Sequence, residues 1–157
     1  MTSDECKRWL ASRWQPDLDR SKRRASLPYS AVPSRLHFIS RWIATHLSHD
    51  SPVLLWVTAS DIGPSNWHLY YRLRESYGNR RLIDDAPGHL CLNYETEDLA
   101  TLIFLTMLNG WDASLIPELD YASLTFSHHG FIDVFSDNGE LVEEVRMNAC
   151  DADAAAK

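Results

Sequence analysis

The stretch Glu95–Asp112, ETEDLATLIFLTMLNGWD, constrains this chain more than any other. Glu95, Glu97 and Asp98 suit the positive end of a helix dipole. Thr96 is the expected N-cap, and with Leu99 three residues on there is no capping box. Asn109-Gly110 is the signature of a helix that ends in a left-handed residue. Between the ends stand Leu99, Leu102, Ile103, Phe104, Leu105, Met107 and Leu108. They cover most of the circumference, so the segment predicts a helix over 96–109 buried between layers rather than lying on a surface. The apolar run is about half the roughly 20 residues a membrane span needs.

A buried helix needs partners, and the rest of the chain supplies them. Ser3–Trp14 reads as a first helix capped by Ser3 or Asp4, with Cys6, Trp9, Leu10 and Trp14 at helical spacing. Residues 15–33 hold three prolines among Ser and Arg and predict an irregular connection. Ser34–Ser48 is a second helix on the Leu36, Ile39, Ile43 and Leu47 stripe. Pro52–Ala59, PVLLWVTA, is a short continuous apolar run and predicts the first and central strand, buried on both faces. Trp67–Tyr77 is a helix with an aromatic core face and a solvated arginine face.

Arg80–Asp84 and His89–Asn93 predict two strands of a hairpin around Ala86-Pro87-Gly88. Trp111–Ile116 and Tyr121–Ser127 predict further strands. Residues 128–136 fit either a strand or a short helix capped by Ser127. The spacing of Phe131, Val134 and Phe135 favours the helix. Glu140–Met147 is a short strand or helix, and Asn148–Lys157 is expected to be a disordered tail. The expectation is a single α+β domain over 1–147, with one mixed or antiparallel sheet of about four or five strands packed with helices.

Charge narrows the partners. Residues 1–50 hold nine Lys/Arg and five Asp/Glu, residues 51–94 four of each, and residues 95–157 two against thirteen. An acidic C-terminal part repels phosphate backbones and favours basic partners. Nucleic acid is therefore not expected as a ligand, nor is a membrane. Cys6, Cys91 and Cys150 are odd in number and far apart, which reads as free thiols in a reducing cytoplasm. MTSDECKRWL has no apolar signal-peptide core.

Motifs for chemistry are sparse. There is no Walker loop, no G-x-G-x-x-G and no G-x-S-x-G elbow, so no cofactor is expected. Neighbouring His128 and His129 would point apart on a strand and would need outside help to hold a metal. Asp84 and Asp85 before the Ala-Pro-Gly turn, with His89 after it and His128 elsewhere, are the groups a small hydrolase or transferase would use. The favoured reading is binding. Trp67, Tyr71 and Trp111 would be aromatic anchors, and Asp84, Asp85, Asp112, Glu118 and Asp120 the acidic groups that meet a basic partner.

The phrases LLWVTASDIGPSNWHLYYRLRESYG, RLIDDAPGHLCL, the acid-led helix ending in NGWD, and SHH resemble a family of small uncharacterised bacterial proteins. The likeness runs from Trp56 to Ser127, a little under half of the chain. That family is similar in size, acidity and aromatic content to immunity proteins that neutralise secreted bacterial toxins. The resemblance implies a toxin-inhibitor role, with a basic toxin or enzyme as partner, and no catalytic residues.

Overall fold

A computed structural model describes residues 1–12, 23–59, 67–118, 122–136 and 138–150. Its frame is one six-stranded sheet in which every neighbouring pair is antiparallel. The strands are β1 (Arg23–Pro28), β2 (Val53–Ala59), β3 (Gly88–Cys91), β4 (Asp112–Pro117), β5 (Ala122–Ser127) and β6 (Phe131–Ser136). Their order across the sheet is β1-β6-β5-β4-β2-β3. The helices are α1 (Ser3–Ala11), α2 (Pro33–Leu47), α3 (Trp67–Ser76), α4 (Thr96–Asn109) and α5 (Gly139–Cys150). The fold class is α+β. No helix among the described residues is long and apolar enough to cross a membrane.

Period-two alternation sorts the strand residues. Ala25, Leu27, Val53, Leu55, Val57, Ala113, Leu115, Leu124, Phe126, Ile132 and Val134 join the main core with α2, α3, α4 and α5. Leu54 and Ile116 point to the other face, where Cys6 and Trp9 of α1 cover them. β2 is therefore buried on both faces, which is why its sequence is a continuous apolar run. It lies one place in from the sheet edge rather than at the centre.

α4 is the most deeply set helix. Leu99, Leu102, Ile103, Leu105 and Met107 are all buried, and each such side chain contributes roughly 1.5–3 kcal/mol. α2 runs antiparallel beside it. Ser48 bonds Thr96 at 2.9 Å, Arg41 pairs with Glu97 at 2.6 Å, and His37 meets the Phe104 ring edge-on at 6.1 Å. Gly110 is left-handed (φ 60°, ψ 45°), and the amides of Gly110 and Trp111 close the helix onto Met107 and Thr106.

Several expectations need correction. The N-cap of α4 is Glu95, without a side-chain bond to the helix. Its carboxylate instead takes the Leu92 amide at 2.7 Å, and Thr96 donates to the Asn93 carbonyl. α1 is capped by Thr2, and Thr2 with Glu5 makes a full capping box. Residues 23–28 form a strand rather than irregular chain. Ala25 and Leu27 face inward, and Pro28 is tolerated because β1 is an edge strand.

The 80–84 segment is no strand. The Ile83 amide goes to the Tyr71 hydroxyl and the Ala86 amide to the Leu82 carbonyl, so no ladder forms. β3 pairs with β2 instead. Residues 131–136 are strand β6, not a helix. The turn of 128–130 with Gly130 at φ 80° closes a β5–β6 hairpin, and Ile132 and Val134 alternate inward. Residues 139–150 are helix throughout, so 148–150 belong to α5 and not to a disordered tail. The rest of that tail, 151–157, lies outside the described residues.

Candidate functional site

Two places collect the chemistry-bearing residues. The first is the end of the sheet where β2 finishes and β4 starts. Gly110 reverses the chain after α4 and aims Trp111 inward. Asp112 then opens β4 opposite Ala59. The Asp112 carboxylate accepts from the His128 amide at 2.7 Å and from His128 Nδ1 at 2.9 Å. Partial burial would raise its pKa. The His128 amide and ring bonds, with the charges of His128 and His129, outweigh that and hold it below the ordinary carboxylate value.

Asp84 and Asp85 stand exposed on the turn 83–85, between buried Ile83 and Ala86. Asp84 lines a cleft with Ser3, Trp56, Thr58, Ala59 and Pro87, and Thr58 donates to the Asp112 carbonyl at 3.2 Å. Asp84, Asp85 and Asp112 thus share one end of the sheet. Leu82, 57% exposed, lies beside the two turn carboxylates.

The other expected binding residues do not join them. Trp111 is 1% exposed and packs edge-on against Tyr70 at 5.1 Å, so it is a core residue and not an anchor. Tyr71 is half-buried and works from beneath, holding the Ile83 amide at 3.2 Å. Glu118 follows the far end of β4, where its amide bonds Pro52. At about 3.4 Å per residue, that is roughly 20 Å from Asp112. Asp120 and the Trp67 side chain lie outside the described residues. Of the expected acid–base groups, Asp84 lines its cleft and His128 is held by Asp112 at the same end of the sheet, while His89 belongs to the second place.

That second place is a cavity of about 300 Å³ between α3, β3 and α4. His89 faces the helix side of β3, opposite Leu55. Its Nε2 lies 2.6 Å from the Tyr70 hydroxyl, which also accepts from Arg74 Nη1 at 3.1 Å. Tyr70 therefore donates its own proton to His89, and His89 accepts as neutral imidazole. Burial first, then the Arg74 charge, pushes His89 down to about 3. Burial pushes Tyr70 up to about 12 against the pull of Arg74. Cys91, likewise buried and pushed up to about 12, is an unreactive thiol.

Arg74 itself departs from the expected solvated arginine face. It is 0% exposed, and its Nε and Nη2 have no hydrogen-bond partner among the described residues. The sequence does carry a signal for it. Arg74 stands four residues after Tyr70, on the aromatic face of α3. Among the described residues no three His, Cys, Asp or Glu side chains come together as a metal site. Comparison with protein-family models, with curated proteins and with solved structures finds no match for this chain.

Proposed function

We propose that this chain is a protein-binding domain, an immunity- or antitoxin-like inhibitor that occludes the basic site of a protein partner. The observation that carries the reading is the convergence of Asp84, Asp85 and Asp112 at one end of the sheet, beside exposed Leu82. Three carboxylates on one rim raise the encounter rate with a basic surface, and an exposed leucine offers apolar area at the contact. The turn that carries two of them is held by Tyr71, so little order has to be gained on binding. Cys6 and Cys91 are free thiols, which supports work in a reducing compartment such as the cytoplasm.

The test is affinity capture from cells that co-express the neighbouring open reading frames, at low and at high salt. A basic protein should be retained at low salt and released as charges are screened. The double variant Asp84→Lys/Asp85→Lys should lose it. Retention of no protein at low salt, or a partner indifferent to that charge reversal, would end the reading.

A further inference from the structure

The acidic rim leaves Arg74 unexplained, and Arg74 is half of what α3 buries. Of the side chains described on that helix, only Tyr70 and Arg74 are buried, with Tyr71 and Leu73 half-buried. A buried guanidinium is costly unless it is paired. Nη1 donates to the neutral Tyr70 hydroxyl, but Nε and Nη2 are sealed from water with no partner among the described residues. Swinging α3 away from the sheet would hydrate both nitrogens. The docked helix therefore carries a standing cost that its tyrosines offset. Elements held so narrowly open locally, short of global unfolding.

His89 is what the docked helix grips. The Tyr70 hydroxyl accepts from Arg74, so its one proton goes to His89 Nε2 at 2.6 Å. That bond needs a bare Nε2. A proton on His89 would leave two cations aimed at one hydroxyl oxygen. The charges that act on His89 are all positive: Arg74 on α3, Arg81 on the turn that follows, and the Met1 ammonium bonded to Gly88. The other neighbours do not offset them. β2 presents Leu55, β4 presents Trp111 behind Tyr70, and Cys91 stays a neutral thiol. Glu95 takes the Leu92 amide and Asp98 the Tyr77 hydroxyl, and both act on Cys91 rather than on His89.

The same helix reaches the acidic turn. Tyr71, next to Tyr70, accepts the Ile83 amide and so ties down the segment bearing Asp84 and Asp85. Moving α3 off the sheet removes that acceptor.

We infer that α3 is a proton-operated latch. A proton on His89 breaks the Tyr70 bond, α3 undocks as a unit, Arg74 reaches water, and the turn 82–86 is released with it. The latch needs no partner, so it stands or falls apart from the binding reading. Only its consequence for the acidic rim rests on that reading.

Native-state hydrogen exchange of the full chain, corrected for the intrinsic rate at each pH, tests the latch. Amides of α3 and of 82–86 should open together, and more readily than those of α4. With 6.5 for the released imidazole and about 3 for the docked one, their opening constant should rise about 30-fold from pH 7.5 to pH 5. His89→Gln keeps an acceptor for Tyr70 and should hold the constant level across that range. Arg74→Met keeps the volume and removes the unpaired charge, so it should lower the opening constant at pH 7.5 by about fivefold or more. Exchange of α3 that merely matches α4 at both pH values, an opening constant that does not change with pH, or a rise that survives His89→Gln would overturn the latch. Arg74→Met opening more readily than wild type would overturn the role given to the guanidinium. If α3 opens while 82–86 stays protected, the link to the acidic turn fails. The wild-type series alone decides the first two outcomes, should either variant fail to fold.

Discussion

The Cys6 sulfur of α1 sits where a β-carbon of Gly88 would have to stand. The contact joins the first helix to strand β3, and the Met1 backbone bonds Gly88 at the same point. No positive φ is involved at Gly88. Glycine is needed there for space alone. Gly88→Ala should therefore cost about 1–3 kcal/mol by overpacking, read as a lower urea midpoint. Cys6→Ala should relieve part of that cost. In a double-mutant cycle the coupling should be favourable by about 0.5 kcal/mol or more. Strictly additive effects would show that α1 does not press on β3 in this way.

The pH dependence of stability should report His89. Its folded pKa of about 3 lies below the ordinary 6.5. Below pH 6.5 the unfolded chain takes up a proton that the folded chain refuses. The contribution is complete above pH 6.5 and is lost as pH falls toward 3, by about 1.4 kcal/mol per unit. Between pH 6.5 and 5 the fall should approach about 2 kcal/mol. Glu5 and Asp112, with ordinary values of 4.5 and 3.8, titrate below that window. His89→Gln keeps an acceptor for Tyr70 and removes the titration. Urea unfolding of both proteins at the two pH values measures the difference, and equal slopes would refute the account.

How much of this was legible in the sequence depended on where the signal lay. The C-terminus of α4 could be placed from Asn109-Gly110 and its burial from an apolar body, while its N-cap fell one residue before the expected Thr96. β2 could be recognised because both its faces are covered, and its composition records that. β1 could not. Among the side chains described there, Ala25 and Leu27 face the core, and Pro28, with Pro16 and Pro33 nearby, masks a two-residue alternation. β6 competed with a helix because Phe131, Val134 and Phe135 fit both periods. The deciding element was Gly130 at positive φ, a matter of backbone geometry. At the candidate site, turn chemistry pointed to Asp84 and Asp85, and the helix end pointed to Asp112. Trp111 reads as an anchor from its residue type, but the left-handed Gly110 turns it inward, and direction after a turn is not written in residue type. Arg74 was hidden because arginine on a helix is ordinarily solvated.

Gly110 offers a direct check on that turn. A residue with a β-carbon in the left-handed region costs about 1–2 kcal/mol, so Gly110→Ala should destabilise the chain by that amount. Gly110→Asn should cost less, because asparagine tolerates the conformation. Thermal unfolding of the two variants gives the order. Equal Tm values for wild type and Gly110→Ala would mean that the α4 terminus has another conformation in solution.

Tyr71 links the stability of the fold to the acidic surface, and Tyr71→Phe separates the two. The ring stays and continues to pack on the core, but the Ile83 amide loses its acceptor at 3.2 Å. An amide left without a partner costs about 1–3 kcal/mol when buried and less where water reaches it. This one is partly buried, so a loss near 1 kcal/mol is expected. The larger consequence should be local. With Ile83 released, the Ala86–Leu82 bond is the one backbone bond among the described residues that still closes the turn bearing Asp84 and Asp85. Amide hydrogen exchange at Ile83 and its neighbours should therefore rise well beyond what the global change explains. A captured partner should associate more slowly, because its target carboxylates are no longer pre-positioned. If exchange at 83–86 rises only in step with the whole molecule, the hydroxyl is not what orders the turn, and Tyr71 serves the core by packing alone.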